Sequence, residues 1–407
     1  MRGFFARNSV ETALEWISQQ TASLSPAAEV VPLDEAAGRV LATEIATDVD
    51  VPAFDRSAMD GYALRGDETT GAGNYNPLPF RILGSAWPGA PFAGEVTSGS
   101  AVRIMTGAPL PRGADAVLPF EFAHEQDEVV EALAAVPPGK NIGRRGEDVS
   151  AGSVLLTAGR RLRPQDIAIL ASIGVSEVAV LRKPRVQILI TGNELVRVGE
   201  PRGEYQIFDS NSPMLRPLID RDGGIVMEIL HLRDERDVLR NQLVKNDVDV
   251  VLISGGSSIG AEDHAPTILA DEGELAIHGL AMRPSSPAGM GRIGRTLVFL
   301  LPGNPVSCLC AYDFFAGRAI RKLAGRNGEW PYPTRSGIMD RKLVSAVGRV
   351  DYARVRFING RVEPLALSGA SILSSTVRAD GFVIVPAECE GYPPGAEVTV
   401  YLYDLIS

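Results

Sequence analysis

The sequence lacks the long apolar runs and the cysteine pairs that are typical of several large protein classes. No apolar run in the 407 residues approaches the roughly 20 residues that a membrane-spanning helix needs. The N-terminal stretch MRGFFARNSVETALEW becomes polar within a few positions and does not contain the apolar core of a signal peptide. The three cysteines cannot form a disulfide framework, and none has C-x-x-C spacing. These absences favour a cytoplasmic protein in a reducing compartment.

The sequence also lacks an excess of positive charge. Its net charge of −10 and pI near 5.1 argue against a general binder of nucleic acid or of a membrane surface. An anionic ligand would need a local concentration of basic side chains, and the stretch GRRGED with Arg144 and Arg145 is one such cluster. The nucleophile elbow, the P-loop and the zinc-binding H-E-x-x-H helix are all missing.

Changes in composition and in the spacing of apolar residues along the chain predict four domains. Val10, Leu14 and Ile17 have helical spacing behind a capping box of Asn8 and Glu11, which predicts an N-terminal helix. Prolines and glycines then separate short apolar runs, and a second helix is predicted over Pro164–Ile173. The predicted domains are a helical or extended linker domain (1–50 with 141–183), an inserted β-rich lid (51–140), an α/β domain (184–327) and a small C-terminal β-barrel (328–407).

The third of these segments alternates between strands and helices, which predicts a doubly wound, mostly parallel sheet. Three helices are expected. The first begins at Asn211 and is interrupted by Pro217. The second follows Asp234 as its N-cap, and the third begins at Asn304–Pro305. The predicted strands are Arg185–Ile190, Ile225–Leu232, Val248–Ile253, Glu274–Met282 and Thr296–Leu301. Ligands in such folds bind beyond the carboxyl ends of the strands, where the loops TGNEL, LRDE, SGGSSIG and LPGNP are predicted to lie.

Two of these loops have the composition of an anion-binding turn. The stretch SGGSSIG would present successive backbone N–H groups and hydroxyls to a phosphate, and LPGNP opens a helix in a similar way. A tight turn and a capped helix start, both without a ligand, are the alternatives. The residues concerned are Gly255, Gly256, Ser257, Ser258, Gly260, Pro302, Gly303, Asn304 and Pro305.

Three carboxylates follow strands of the same predicted sheet. Glu194, Asp234 and Asp263 would repel one another at one edge unless they shared a cation. Mg²⁺ suits such a place, because it takes one or two carboxylates together with substrate phosphates. Each acid taken singly is more consistent with a helix cap or a solvated loop residue, and it is their joint placement that indicates a metal site.

Several stretches together resemble one known family, the molybdopterin molybdenumtransferases (MoeA and the E-domain of gephyrin), over essentially the full length. The stretches are PAFDRSAMDGYALR (52–65), VRIMTGAPLP (102–111), NIGRRGEDV (141–149), TGNEL (191–195), ISGGSSIGAED (253–263) and LPGNPVS (301–307). The resemblance implies a MogA/MoaB-like α/β domain, and a homodimer whose active site lies between this domain and the lid of the other chain. It also implies insertion of molybdate into adenylylated molybdopterin (molybdopterin-AMP) with Mg²⁺-dependent release of AMP.

The resemblance assigns roles residue by residue. The catalytic carboxylates would be Asp60, Glu194, Asp234 and Asp263, and the last three would also bind the metal. The ligand would contact both Gly-rich loops and a further set of residues: Thr106, Arg145, Asp148, Arg283, Ser286 and Ser374, with Ser375 beside it.

This sequence departs from the family where the family has lysines. A stretch usually like A-[IV]-K-P-G-K-P reads AMRPSSP here, so that Arg283 and Ser286 replace two lysines, and Gly143 replaces an arginine of the basic cluster. A guanidinium differs from a compact ammonium, and a serine has no charge. Two other functions therefore stay open: a non-catalytic molybdopterin or cofactor carrier, chaperone or sensor for one recipient molybdoenzyme, and a hydrolase of a nucleotide-linked cofactor.

Overall fold

The computed structural model describes residues 7–24, 26–245, 247–256, 264–366 and 369–404. The chain divides into two compact units. The large unit comprises Met1–Glu29, Gly38–Val40 and Ala179–Ser407, and the small unit comprises Val30–Ala37 and Leu41–Val178. Each unit is described by itself.

The helices of the described residues, in chain order, are α1 (Val10–Ser23), α2 (Pro164–Ser172), α3 (Asn211–Arg221), α4 (Arg236–Val244), α5 (His264–Glu272), α6 (Pro305–Ala311), α7 (Gly317–Leu323) and α8 (Ser374–Val377). Short 3₁₀ turns occupy Leu33–Glu35, Gly66–Thr69 and Phe120–Phe122, and a π-helical turn occupies Tyr312–Ala316. None of the described helices combines the length and the hydropathy that a bilayer crossing requires.

The strands of the described residues are numbered in the same way: β1 (Ala28–Pro32), β2 (Ile45–Ala46), β3 (Arg56–Ser57), β4 (Gly61–Leu64), β5 (Leu78–Ala86), β6 (Ser100–Ile104), β7 (Ala116–Pro119), β8 (Ala123–Gln126), β9 (Val129–Ala132), β10 (Ile142–Gly143), β11 (Val154–Leu156), β12 (Glu177–Leu181), β13 (Arg185–Thr191), β14 (Leu195–Val196), β15 (Ile207–Phe208), β16 (Ile225–Leu232), β17 (Val250–Ser254), β18 (Glu274–His278), β19 (Met282–Arg283), β20 (Gly289–Ile293), β21 (Thr296–Leu301), β22 (Thr334–Met339), β23 (Leu343–Val344), β24 (Val350–Ile358), β25 (Arg361–Ala366), β26 (Gly381–Val385), β27 (Gly391–Tyr392) and β28 (Glu397–Leu402).

The small unit is built on a curved six-stranded sheet in the order β7-β4-β6-β5-β9-β8. Tyr62, Phe80, Leu118 and other apolar side chains of one face form its core. Although β8 is three strands away from β6 in this order, Glu125 of β8 accepts hydrogen bonds from Arg103 of β6 at 2.5–3.2 Å. Strands in a flat sheet are about 4.8 Å apart, so the sheet must curl for this contact to form. The prediction of a β-rich segment here is confirmed.

The large unit contains a second six-stranded sheet, in the order β16-β13-β17-β21-β20-β18. The first four strands are parallel, and β20 and β18 extend the sheet in antiparallel pairings. Along β17, Val250 and Leu252 face one apolar core, whereas Val251 and Ile253 face another. Because successive side chains point to opposite faces, this alternation places a core on each side of the sheet. The doubly wound sheet is therefore confirmed, with a mixed edge.

The C-terminal strands form a small closed barrel, as predicted. The order β24-β25-β22-β28-β26 returns to its start because β26 also pairs with β24. The two-residue strand β19 joins the outside of this ring in parallel with β24, through the pairs Met282↔Val350 and Arg283↔Asp351.

Four local predictions were wrong. The N-cap of α1 is Ser9, whose side chain accepts from Thr12 N at 3.1 Å, whereas Asn8 bonds instead to Gly279. Helix α3 continues through Pro217 to Arg221. Pro217 has no N–H group, and the hydrogen bond that is missing for this reason would have gone to a carbonyl oxygen of the first turn. The N-cap of α4 is Glu235 rather than Asp234. The predicted strand Glu274–Met282 is divided into β18 and β19, because Gly279 has a φ of 82° and the chain turns there.

Candidate functional site

A cleft of about 660 Å³ lies in the large unit at the carboxyl ends of β13, β17 and β21. This is the edge at which doubly wound sheets bind their ligands. The described lining residues are Thr191, Gly192, Glu194, Leu195, Ile207, Phe208, Asp209, Ser210, Asn211, Asp234, Ser254, Gly255, Gly256, Pro287, Pro302, Gly303, Asn304, Pro305 and Ser371. None of them is a lysine or an arginine.

Two glycine turns meet on one wall of the cleft. Gly255 has a φ of 101°, and a Cβ atom there would lie 2.3 Å from the carbonyl oxygen of Thr191. A Cβ at Gly303 would make an ordinary contact of 3.7 Å with the Cα of Gly255. The first turn therefore requires glycine for both conformation and space, while the second tolerates a side chain. Ser257, Ser258, Gly260 and Asp263 lie outside the described residues.

The segment that begins α3 supplies the floor of the cleft. Asp209 is buried and accepts hydrogen bonds from Asn211 N at 2.9 Å and Ser212 N at 3.1 Å, so its carboxylate caps the helix. His231 Nε2 lies 3.0 Å from Asp209 Oδ2, and Arg197 Nε donates to His231 Nδ1 at 3.2 Å. Because a guanidinium can only donate, Nδ1 is the acceptor, and His231 therefore donates its Nε2–H to Asp209.

Asn211 connects three parts of the cleft. Its Nδ2 donates to Ser254 Oγ at the end of β17 and to the Gly303 carbonyl oxygen, both at 2.8 Å. One amide group therefore holds the start of α3, the end of a central strand and the second glycine turn together. The sequence around Asn211, DSNSP (209–213), predicted only a helix start and not this role.

Two of the three predicted metal-binding carboxylates line the cleft. Glu194 follows β13 and Asp234 follows β16, as the sequence predicted. Asp234 N donates to Asn193 Oδ1 at 3.4 Å, which ties the two loops. Within the described ranges, no group of three or more His, Cys, Asp or Glu residues is arranged to hold a metal ion.

The LPGNP loop opens a helix as predicted, with Asn304 as N-cap and Pro305 at the first helical position. One of its N-terminal amides is occupied, because Val306 N donates to the Ala370 carbonyl oxygen at 3.0 Å. Ser371, which follows Ala370 in the chain, lines the cleft. The serines named from the resemblance lie elsewhere: Ser374 is exposed on α8, and Ser375 is buried and donates to the Ile372 carbonyl oxygen at 2.6 Å.

The two residues that replace the family's lysines do not line the cleft, although Pro287 beside them does. Arg283 donates to Asp351 Oδ2 at 2.7 Å, and Arg349 Nε lies 3.1 Å from Asp351 Oδ1. Two guanidinium groups thus share one fully buried carboxylate, which leaves this cluster with a net positive charge. Ser286 Oγ is buried and has no partner among the described residues.

The turn between these residues carries backbone strain. Ser285 has a φ of 87°, in a region where glycine is favoured, and its hydroxyl donates to the Ser307 carbonyl oxygen at 2.6 Å. A glycine would adopt this conformation without strain.

In the small unit, Asp60 and Thr106 lie together. Asp60 Oδ1 accepts from both Thr106 N and Thr106 Oγ1 at 2.7 Å. These two bonds lower the pKa of Asp60 below its usual value, and the backbone N–H contributes more than the hydroxyl. The Asp60 carboxylate is exposed, and because its pKa is lowered it is ionised at neutral pH.

The basic cluster of the small unit is neutralised by neighbouring acids. Arg145 Nε donates to Asp50 Oδ2 at 2.6 Å, and Arg144 donates to Asp55 Oδ2 at 2.8 Å. The Asp148 backbone N–H bonds to the Val51 carbonyl oxygen at 3.0 Å. Local sequence could not reveal these pairs, because the partners are about 90 residues away.

Comparison with known proteins gives matches along almost the whole chain. Residues 8–174 match the MoeA N-terminal region (domain I and II), residues 187–322 a probable molybdopterin binding domain, and residues 336–403 the MoeA C-terminal region (domain IV). The chain is 34% identical to a molybdopterin molybdenumtransferase of Haemophilus influenzae over 381 residues, covering 91% of this chain and 93% of the relative. It is 32% identical, over 91% of each chain, to a putative molybdopterin biosynthesis protein of Methanocaldococcus jannaschii.

A solved structure agrees with these matches. The molybdopterin biosynthesis MoeA protein of Pyrococcus horikoshii superimposes with a TM-score of 0.84 at 32% identity, covering 98% of this chain and 100% of that one. Fold, cleft and relatives together define an enzyme of molybdenum cofactor biosynthesis, in the transferase class. Within that class, the chain belongs to the MoeA family.

Proposed function

We propose that the protein inserts molybdate into adenylylated molybdopterin and releases AMP, and that the cleft of the large unit binds this substrate. The observation that carries the proposal is the joint placement of Glu194, Asp234 and the two glycine turns at the carboxyl ends of neighbouring parallel strands. Turns of this kind present backbone N–H groups to phosphate, and carboxylates beside them bind a cation.

The charge of the cleft supports dependence on Mg²⁺. Its described lining contains Glu194, Asp234 and Asp209 but no lysine or arginine, so the lining alone repels an anionic substrate. Glu194 and Asp234 fit Mg²⁺, which takes one or two carboxylates together with phosphate oxygens. Bound there, Mg²⁺ would neutralise phosphate charge. Asp263 completes the proposed metal set, and Asp60 is the proposed catalytic carboxylate of the small unit.

The residues themselves would orient the substrate and keep it in place. Gly255 and Gly303 permit close approach of the ligand to the backbone, since neither carries a side chain. Asn211 fixes the Gly303 turn through its amide group. The cluster of Arg283 and Arg349 on Asp351 is the proposed source of positive charge for molybdate, in place of the family's lysines. The other proposed ligand contacts are Thr106, Arg145, Asp148, Ser286 and Ser374.

The test is a single-turnover assay with adenylylated molybdopterin, molybdate and Mg²⁺. We expect AMP release and activation of an apo-molybdoenzyme by the product. Glu194→Gln and Asp234→Asn should each lower the rate of AMP release by about 10²–10³-fold, since removing one electrostatic group from an active site has effects of this size. Folded wild-type protein that releases no AMP above background would reject the proposal.

A second candidate is a non-catalytic molybdopterin or cofactor carrier, chaperone or sensor. The absence of lysine and arginine from the described lining favours it, because charge stabilisation of a reacting phosphate is then weak without a metal. This candidate predicts binding of molybdopterin without turnover and a recipient molybdoenzyme as partner. AMP release without molybdate uptake would instead indicate a hydrolase of the adenylate.

We further propose that the chain works in the cytoplasm as a homodimer and has the four domains defined above. Each family-model match falls within these proposed boundaries or spans two of them, which is the support for this division.

A further inference from the structure

One histidine, His231, joins three of the segments that supply side chains to the cleft. It is the last but one residue of β16, and Asp234 follows it by three residues. Its Nε2 lies 3.0 Å from Asp209 Oδ2, just before α3. Its Nδ1 lies 3.2 Å from Nε of Arg197, which is separated from Glu194 only by the two-residue strand β14. One imidazole ring therefore connects three stretches of chain that are distant in sequence.

The two hydrogen bonds define the state and the orientation of this ring. The guanidinium of Arg197 can only donate, so Nδ1 carries no proton and the single ring proton is on Nε2. That proton faces the carboxylate of Asp209, which is 3% exposed. Hydrogen bonds to an ionised group are stronger than those between neutral groups. The neutral ring is thus held on both sides.

Asp209 connects the histidine to the wall of the cleft. Its Oδ2 is paired with His231, and its Oδ1 accepts from the Asn211 backbone N–H at 2.9 Å. The side-chain amide of Asn211 then donates to the Gly303 carbonyl oxygen and to Ser254 Oγ, both at 2.8 Å. Three consecutive hydrogen bonds therefore lead from the imidazole to the second glycine turn.

We propose that His231 is a positioning residue of the cleft, which holds Asp209 and, through it, the Asn211 amide that sets the Gly303 turn. His231 is not among the described residues that line the cleft, so it acts through Asp209 rather than on the ligand. This inference rests on the proposed function, because it assigns a further residue to the site that is proposed to bind the nucleotide phosphate.

Three substitutions separate the two hydrogen bonds of the ring. His231→Leu removes both bonds. His231→Gln places an amide N–H near the position of Nε2 and keeps a donor for Asp209. His231→Asn is shorter, so it keeps an acceptor for Arg197 but does not reach Asp209. The leucine and asparagine variants should therefore behave alike, and the glutamine variant should resemble the wild type.

Amide hydrogen exchange of the full chain, read by mass spectrometry, reports on the glycine turn without any ligand. The Val306 N–H of this loop donates to the Ala370 carbonyl oxygen at 3.0 Å, so its exchange requires the loop to open. In His231→Leu, the peptide that contains Gly303 and Val306 should exchange about tenfold faster, which corresponds to about 1.4 kcal/mol. If the leucine variant does not fold, the glutamine and asparagine variants provide the same comparison.

Glu228→Leu is the matched control. Glu228 lies on the same strand as His231, accepts from Gln187 Nε2 on β13 at 3.2 Å and is outside the described cleft lining. This substitution also removes a side-chain hydrogen bond of β16. It should leave both the exchange of the Gly303 peptide and the binding of AMP unchanged, even where it lowers the thermal unfolding midpoint.

Binding of AMP in the presence of Mg²⁺, followed by calorimetry, measures the consequence for the ligand. The Kd should rise about tenfold in His231→Leu and His231→Asn and stay near the wild-type value in His231→Gln. In the full reaction the KM for the adenylylated substrate should rise more than kcat falls, because a group that only positions the binding wall affects ground state and transition state alike.

Two outcomes would overturn the inference and leave the proposed function intact. One is equal exchange of the Gly303 peptide and equal AMP binding in His231→Leu and the wild type, whatever the change in the unfolding midpoint. The other is a glutamine variant that is as impaired as the leucine variant. Wild-type protein that neither binds AMP nor releases it from the adenylylated substrate would instead reject the proposed function, and the exchange comparison would still decide the role of His231.

Discussion

Single residues in this protein carry constraints that only the folded backbone makes visible. Ser285 has a left-handed conformation that glycine would adopt more easily, and its hydroxyl bond to Ser307 offsets part of the cost. Asp234 looks like a helix cap in the sequence, but Glu235 has that position and Asp234 lines the cleft. In the second case a shift of one residue changes the role of the side chain.

At the scale of the residue, Gly255→Ala should destabilise the protein by about 1–3 kcal/mol, because alanine is strained at positive φ and its Cβ would contact a carbonyl oxygen. The φ of Gly255 is 101°, and the contact with Thr191 O would be 2.3 Å. Urea denaturation of the full chain measures the change in the free energy of unfolding.

Gly303→Ala is the control for this prediction. Its Cβ would meet only an ordinary contact at 3.7 Å, so its unfolding free energy should stay close to that of the wild type. Equal losses for the two variants would contradict the stated geometry of the turns.

The elements of the fold were predicted to different extents. Strand Thr296–Leu301 and helix Pro164–Ser172 have the predicted bounds within one residue, because apolar periodicity, proline and glycine define them locally. The β20 strand, Gly289–Ile293, was missed, since its glycines depress strand propensity and its stability comes from pairing with β21 and β18. Local sequence patterns therefore predicted the elements that their own residues define, and missed the strand whose stability comes from its neighbours.

The candidate site was predicted to a similar extent. The glycine turns and two acids could be found because they follow strands whose carboxyl ends meet at one edge. Asn211 and Ser371 could not, because their places depend on contacts made across the fold. Asn211 donates to Ser254 and to Gly303, and Ser371 lines the cleft although it lies about 70 residues beyond the LPGNP loop. The ion pairs of Arg144 and Arg145 could not be predicted for the same reason.

At the scale of the element, the curl of the small unit's sheet should weaken in acid. Glu125 of β8 has a pKa lowered to about 2, first by its bonds to Arg103 and then by the hydroxyl of Tyr62 on β4. A depressed folded-state pKa contributes stability that is present above the ordinary value of 4.5 and is lost as pH falls toward about 2. We expect the unfolding midpoint of the wild type to fall over this range.

Glu125→Gln serves as the comparison for this pH dependence. Glutamine does not titrate, so the variant should be less stable than the wild type at neutral pH, and the difference should shrink on acidification. A difference that stays constant from pH 6 to pH 2 would show that the carboxylate does not sustain the closure of the sheet.

At the scale of the whole molecule, the proposed homodimer predicts a mass in solution of twice the 43.4 kDa chain. Closed two-fold dimers are the commonest assembly of soluble proteins. Sedimentation equilibrium at micromolar concentration measures this mass directly. A species of one chain mass throughout that range would contradict the dimer while leaving the family and the fold unaffected.

The pairing of β19 with the barrel has a consequence for the order of folding. Arg283 and Asp351 are bonded across 68 residues of chain, and Pro287, four residues after Arg283, lines the cleft. Contacts of such separation form slowly, because the intervening loop must close first. A nascent chain can therefore complete its parallel strands early, yet this wall of the cleft is anchored only after the C-terminal barrel strands have been synthesised. A ribosome-bound chain that ends before residue 350 should accordingly hold the α/β sheet without a finished binding cleft.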